Sequence, residues 1–426
     1  MIRTPGPGAR PLGRWPRFQA SLSGPRTLVL GLMSGTSADG VDAVLAEFSG
    51  PVRRPRWRIL NSASLAYPPQ LRQELVAIGQ GRASSAAALL ELAEAVTEAQ
   101  AAAARACDPR GQAQLVGCHG QTLWHRPPSG DGKADGQTDG QAGGQAGGQG
   151  RRGASWQLLQ APLLANLLQT PVVSDFRAAD LALGGQGAPL VPPCDEALVG
   201  RIGGWRALLN LGGIANLTLL PPARGPERHQ PVRGWDCGPA NSLLDLAVHR
   251  FSGGKLAWDA GGAWARRGQI DEQLIQHWLQ SPYFQQPPPK STGRELFGAS
   301  DLEARLADLG RRAASRGLEL EAADALATLT AFSAAVVAQD LGGAPKPLEL
   351  LVAGGGARNQ LLMEQLQRRC RGMAVRPLAE LGIEDEQREA LAFALLAWWH
   401  LLGQPGSAPA VTGASRESLL GVWTPP

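Results

Sequence analysis

The chain has 426 residues, enough for two domains that each bury a core, and 43% of them are hydrophobic, which excludes a wholly disordered polypeptide. Its formal net charge of +4 is misleading, because the first 26 residues carry Arg3, Arg10, Arg14, Arg17 and Arg26 and no acid. The remainder is close to neutral, which argues against a basic nucleic-acid-binding body. Five cysteines in a long chain, with no C-x-x-C, argue against a disulfide scaffold and a zinc site. No apolar run approaches the roughly 20 residues of a membrane span, and the N-terminus lacks the apolar stretch of a secretory signal. Pro5, Pro7, Pro11, Pro16 and Pro25 break any amphipathic targeting helix, so residues 1–26 are expected to be a disordered extension on a cytoplasmic protein.

Order is expected from Thr27. Residues 27–33 (TLVLGLM) read as a buried strand and 41–48 (VDAVLAEF) as a second, joined by a Gly/Ser/Thr turn over 34–40. Ser84 and Ser85 precede an Ala/Leu-rich stretch to Cys107, a helix with serine caps. Residues 113–118 read as a strand running into His119. Residues 127–153, with GQTDGQAGGQAGGQG, offer almost nothing to bury and read as a disordered insertion in a surface loop. A short strand over 171–174 ends at Asp175-Phe176-Arg177, followed by a glycine loop over 184–189. Residues 205–211 and the LTLL run after Asn216 form a second strand–glycine turn–strand unit around Gly212 and Gly213. A helix over 322–340 stops at Gly342-Gly343, a strand over 348–353 enters Gly354-Gly355-Gly356, and a helix over 386–402 stops at Gly403. Strands alternating with helices indicate an α/β fold. Two glycine hairpins half a chain apart suggest two similar halves that hold a nucleotide between them.

Glycine turns expose backbone N–H groups to phosphate oxygens. Gly35, Thr36 and Ser37 fit that use, as do Gly212 and Gly213, and Asp39 could hold Mg²⁺ through water. A P-loop, a dinucleotide G-x-G-x-x-G and a G-x-S-x-G elbow are all absent. Asp175 sits where a catalytic carboxylate projects from a strand end, and reads equally well as a turn former. Arg177 would share its face if the strand continued. Glu389 alone reads as a solvated helix charge. His119 and His125 lack the companions of a metal site, and Trp124 reads as core or as a sugar-stacking surface.

Gly31-Leu32-Met33-Ser34-Gly35-Thr36-Ser37-Ala38-Asp39-Gly40-Val41-Asp42 resembles the opening signature of the anhydro-N-acetylmuramic acid kinase family, within the actin-like, sugar-kinase and Hsp70 superfamily. Further matching motifs follow in order: Cys118-His119-Gly120-Gln121-Thr122, Val173-Ser174-Asp175-Phe176-Arg177, the Gly185–Pro192 run, Leu209–Asn216, Asp236–Asn241, Pro289–Glu295, Gly354–Asn359, Glu389-Ala390 and Thr412-Gly413-Ala414. The resemblance spans about residues 27–422. It departs at Cys237, where the family usually has Thr, at Pro193-Cys194, and in the basic tail and the Gly/Gln insertion.

The resemblance implies a two-lobed actin-like ATPase (ribonuclease H-like) fold with its active site in the cleft. Residues 27–180 plus about 395–422 would form the first lobe and 181–394 the second. It implies that ATP, water and 1,6-anhydro-N-acetylmuramic acid become N-acetylmuramic acid 6-phosphate and ADP, in peptidoglycan recycling. Asp175 would be the base for the attacking water. Gly35, Thr36, Ser37, Ala38, Asp39, Gly40, Val41 and Asp42 would take the phosphates with Gly212 and Gly213. Gly354, Gly355, Gly356 and Asn359 would take the adenosine end. Glu389, His119, Gln121 and Arg177 would face the sugar, and Asp39 would serve Mg²⁺. A kinase of another sugar and a non-kinase ATPase module are the alternatives, and a homodimer is carried over from the family. No nucleic acid or membrane partner is expected.

Overall fold

The computed structural model describes residues 23–128 and 151–426, apart from Ile202, Pro289 and Ala344. The expected disorder of the Arg-rich tail and of the Gly/Gln insertion therefore lies largely outside the described residues. Order begins four residues before Thr27, and Arg26 is ion-paired with Glu47 across the first strand pair.

Two sheets form the framework. The first contains β1 (Ser23–Ser34), β2 (Gly40–Pro51), β3 (Arg56–Ala66), β4 (Leu115–Arg126), β5 (Ala154–Leu158), β6 (Val172–Ser174) and, from the C-terminus, β12 (Val422–Thr424). The second contains β7 (Arg206–Leu211), β8 (Ile214–Leu220), β9 (Arg233–Pro239), β10 (Glu349–Ala353) and β11 (Ala374–Pro377). The strand order is β12-β6-β4-β1-β2-β3 in one and β11-β10-β7-β8-β9 in the other. In each, three antiparallel strands are followed by two parallel ones, in the order third, second, first, fourth, fifth. The same five-strand unit thus occurs twice, which is the two-lobed actin-like arrangement that the motifs imply.

Successive side chains of a strand point to opposite faces, and here the two faces enter different cores. From β2, Val41, Ala43 and Leu45 pack with the Ala86–Cys107 helix, while Val44, Ala46 and Phe48 pack with the Asp385–Leu402 helix. On the second sheet, Leu350 and Val352 face the Ala322–Gly342 helix, while Leu351 and Ala353 join the same core as Val44 and Phe48. That middle core joins the lobes, and the Asp385–Leu402 helix is its spine. The helix is continuous through residues 394 and 395, so the expected lobe boundary there falls inside it. The reason is packing: the helix rests on β1, β2 and β4 along its length.

Two glycines permit that approach. A Cβ on Gly31 of β1 would lie 1.9 Å from Ala390 O, and one on Gly117 of β4 would lie 2.2 Å from Phe393 O. Trp398 stacks on Phe48 with ring centroids 5.6 Å apart and points its indole N–H at Thr27 Oγ1. Ser85 caps the Ala86–Cys107 helix by accepting from Ala88 N, and Gly403 ends the Asp385–Leu402 helix at φ 69°. Against the expectation that no apolar run approaches a membrane span, Ala322–Gly342 is long and apolar enough by length and composition; it is mostly buried, at the centre of the second lobe. All five cysteines are free and buried.

Candidate active site

The first turn hangs from β1 and is fixed by side chains. Ser34 Oγ lies within hydrogen-bonding reach of Gly40 O (2.7 Å) and of Gln121 Oε1 on β4, and Gln121 Nε2 donates to Gly35 O at 3.0 Å. Gln121 is therefore a buried strut under the turn, and Thr36 and Ser37 stand exposed at the tip. Ala38 closes the turn at φ 52° with its N–H on Gly35 O. The Asp39 carboxylate is taken by Arg72 at 2.7 Å, well out in solvent. Val41 is buried in the first-lobe core and plays no surface part.

The second turn carries no side chain. Gly212 O accepts from Asn241 N, and Gly213 O accepts from Ala240 N and Ser242 N, so the turn is clamped to the start of the Asn241–Phe251 helix mainly by backbone, with Asn241 Nδ2 donating to Leu211 O just before it. Gly354, at φ 85°, sits beside it; a Cβ there would meet Asn210 Oδ1 and Leu211 O at 2.8 Å. The Gly354 N–H is held by Asp385 Oδ1 at 2.7 Å. Gly355 and Gly356 begin a 3₁₀ turn, and Asn359 spends its carboxamide oxygen capping the Gln360–Arg369 helix at Leu362 N.

Between the lobes lies a cavity of about 230 Å³, lined by Asp42 from β2, Asn210 and Ala353 from the second sheet, Gly354, and Asp385, Glu386, Arg388 and Glu389 from the start of the spine helix. A larger, mainly apolar concavity of about 760 Å³ lies elsewhere, between the Pro69–Gly79 and Ala86–Cys107 helices, and holds none of the candidate residues. Burial raises the carboxyl pKa of Asp42, helped by nearby Glu386, although Ser64 Oγ donates to it. Partial desolvation also raises that of Glu389, which remains exposed at the cavity, against the pull of Arg388 and Arg177. Arg388 is committed elsewhere, to both oxygens of Asp195.

Asp175 follows β6 at φ 55°, left-handed backbone that is rare for a side-chain-bearing residue and concentrates at functional positions. Among the described residues, no hydrogen bond or ion pair engages its carboxylate, and desolvation raises its pKa. The strand stops at Ser174, so Arg177 does not share a strand face with Asp175; it opens the short Ala178–Ala182 helix instead. Arg177 nevertheless reaches the same region. Its Nε and Nη2 lie 3.1 and 2.9 Å from His119 Nε2, and its Nη1 donates to Gly187 O. Burial and the guanidinium push the His119 pKa down to about 3, so the ring is neutral and accepts at Nε2. Phe393, one turn after Glu389, packs against His119 and Phe176. His119, Arg177 and Phe176, the residue after Asp175, thus gather along the Glu389–Phe393 stretch of the spine helix. His125 lies on the β4–β5 ribbon bonded to Ser155, and Trp124 is exposed there opposite Trp156. Asn210, Asp385 and the buried Asp180 behind Arg177 were not expected from the sequence. Asn210 was visible only as part of the Leu209–Asn216 motif.

Two lobes of this topology, meeting at a carboxylate-lined cavity flanked by glycine turns, define a phosphotransferase of the actin-like class. The chain matches the anhydro-N-acetylmuramic acid kinase family over residues 27–426. It is 60% identical over 402 residues to an anhydro-N-acetylmuramic acid kinase of Synechococcus sp. (strain CC9902), covering 93% of this chain and 99% of that one. It is likewise 60% identical over 404 residues to that of Parasynechococcus marenigrum (strain WH8102), covering 94% and 100%. The chain belongs to the anhydro-N-acetylmuramic acid kinase family. It is an ATP-using kinase that acts on this cell-wall sugar.

Proposed function

We propose that the enzyme opens the 1,6-anhydro bridge with water and phosphorylates the freed O6 in one site. Asp175 takes a proton from a water molecule as that water's oxygen bonds to C1. The C1–O6 bond breaks, its electron pair goes to O6, and O6 attacks the γ-phosphorus of ATP as ADP leaves. The observation that carries this reading is the Asp175 carboxylate, held in left-handed backbone at a strand end and unengaged by any described residue, with its pKa raised toward that of a useful base. Attack from the side opposite the leaving oxygen follows inverting glycoside hydrolysis. The rest is positioning and charge compensation. The first turn, from Gly35 to Asp42, and Gly212-Gly213 offer backbone to the phosphates. Glu389, Arg177 and His119 face the sugar, and Gln121 acts from beneath the first turn.

ATP would travel with Mg²⁺, which neutralises phosphate charge. Asp39 fits that ion poorly, since Arg72 already compensates it. Asp42 fits better, facing the cavity with Oδ2 left for the ion's water shell while Ser64 binds Oδ1. The adenosine end would lie along Gly354, Gly355 and Gly356, with Asn359 contributing only its amide nitrogen. A homodimer and a cytoplasmic setting belong to this reading on family grounds.

Turnover in ¹⁸O-water tests the mechanism. One label at C1 of the phosphorylated sugar, read by mass spectrometry with fragment assignment, is the expected result. Phosphorylated product without label would overturn the hydrolytic step.

A further inference from the structure

We infer that Asp180 and Thr412 are positioning residues that set the Arg177 guanidinium against the sugar side of the site, acting through the Gly184–Pro189 loop. The inference rests on the sugar-facing role given to Arg177 and Glu389 above.

Asp180 is completely buried, and among the described residues no lysine or arginine pairs with it. A buried carboxylate needs its oxygens satisfied, and each of these has one short bond. Oδ1 accepts from Thr412 Oγ1 at 2.7 Å, and Oδ2 accepts from Gly187 N at 2.8 Å. The backbone repeats the same connection, with Gly185 N on Asp180 O and Gln186 N on Thr412 O, both at 2.9 Å. The loop can lie this close because residue 185 has no side chain: a Cβ there would stand 2.2 Å from Asp180 Oδ2. Gly187, at φ 70°, then turns its carbonyl to Arg177 Nη1.

Arg177 is therefore gripped from two sides. Gly187 O fixes one arm, and neutral His119 takes Nε and Nη2. One N–H on each terminal nitrogen is left over, and the guanidinium lies close enough to Glu389 to draw its carboxyl pKa down. The other charged groups that act on Glu389 are Arg388, which lowers it, and Asp195 and Asp42, which raise it. Arg388 is locked to Asp195. Arg177 is the cation whose place depends on the Asp180–Thr412 contact. Ionised Glu389 holds the sugar and ionised Asp175 activates the water, so both set the acid limb of kcat/KM; loosening the contact withdraws positive charge from Glu389, raises its pKa and moves that limb to higher pH.

The test compares Thr412→Val with Thr412→Ser. Valine keeps the shape and removes the hydroxyl, stranding Asp180 Oδ1; serine restores the donor. Thr412→Val is expected to raise KM for the anhydro sugar about tenfold, leave KM for ATP unchanged, and shift the acid limb upward. Thr412→Ser is expected to restore all three. Should Thr412→Val fold poorly, Asp180→Asn serves instead, since its amide can donate to Thr412 Oγ1 while its oxygen still accepts from Gly187 N; it is expected to stay near wild type where Asp180→Ala does not. A fall in active fraction alone, with sugar KM and pH profile unchanged, would mean a merely structural role and overturn the inference. Arg177→Ala separates the two levels. If it leaves sugar KM unchanged, the reading of the site fails; if it raises KM and Thr412→Val does not, the positioning role fails.

Discussion

The two glycine turns occupy equivalent places in two copies of one sheet topology, yet they are held in different ways. The turn between β1 and β2 is long, has side chains at its tip, and is braced by Ser34 and Gln121 against β4, the strand that also presents His119. The turn between β7 and β8 is two glycines clamped by backbone to the Asn241–Phe251 helix. The first is thereby coupled to residues around Asp175 and the sugar, while the second offers nothing except backbone. An equivalent position in a duplicated fold therefore does not mean an equivalent task. On the proposed mechanism the first lobe would carry the hydrolytic chemistry, and the second would present a bare edge for phosphates.

That contrast is open to attack. The largest expected effect is in the first lobe. Asp175→Asn should lower kcat by about 10²- to 10⁴-fold with ATP affinity within a few-fold, as measured by steady-state kinetics and calorimetric titration. In the wild type, the base must be ionised, so kcat/KM should fall as pH drops through the Asp175 pKa. Because partial desolvation raises that pKa, the midpoint should lie above the ordinary aspartate value of about 3.9. An unchanged kcat in the variant would remove the base from the first lobe.

A smaller effect is expected in the second lobe. A Cβ on Gly213 would touch nothing closer than 3.7 Å, so Gly213→Ala should fold with an unchanged melting temperature. It should nonetheless raise KM for ATP about tenfold, roughly 1.4 kcal/mol, because the added methyl occupies the approach of a phosphate. Normal ATP kinetics in this variant would make the bare turn purely a hairpin closure. The smallest effect on ATP kinetics is expected from Gln121→Ala, which strands Gly35 O: it should raise KM for ATP only modestly while costing about 1–3 kcal/mol in denaturant unfolding. No loss of stability would mean the first turn is as self-supporting as the second.

Much of this was legible in the sequence because the signals were local. The paired strand–glycine–strand units, the Ser85 cap and the Gly403 stop depend on residues within a few positions of one another. β3 was missed because its eleven residues lie along a sheet edge and are mostly exposed: the alternation of Arg56, Trp57, Arg58 and Ile59 is lost from Leu60 onward, too brief to mark an eleven-residue strand. β9 was hidden by Gly234, Gly238 and Pro239, and β5, β11 and β12 are too short to announce themselves without the partners that pair them. In the site, the family motifs carried Asp175, Arg177, His119 and Glu389, but the residue types alone left Asp175 and Glu389 ambiguous. The left-handed backbone of Asp175, the end of β6 at Ser174 and the link from Asp180 to Thr412, 232 positions away, are tertiary facts. Gly354 and Asn359 show the reverse case, with motif residues whose N–H or oxygen the fold has already used.

The missing side chains at Gly31 and Gly117 have an effect that reaches the chemistry. They seat the helix bearing Glu389 directly on strands β1 and β4, the second of which lies beside β6, whose end bears Asp175. The two acids therefore ride on one chassis. Their spacing is established once, as the polypeptide folds.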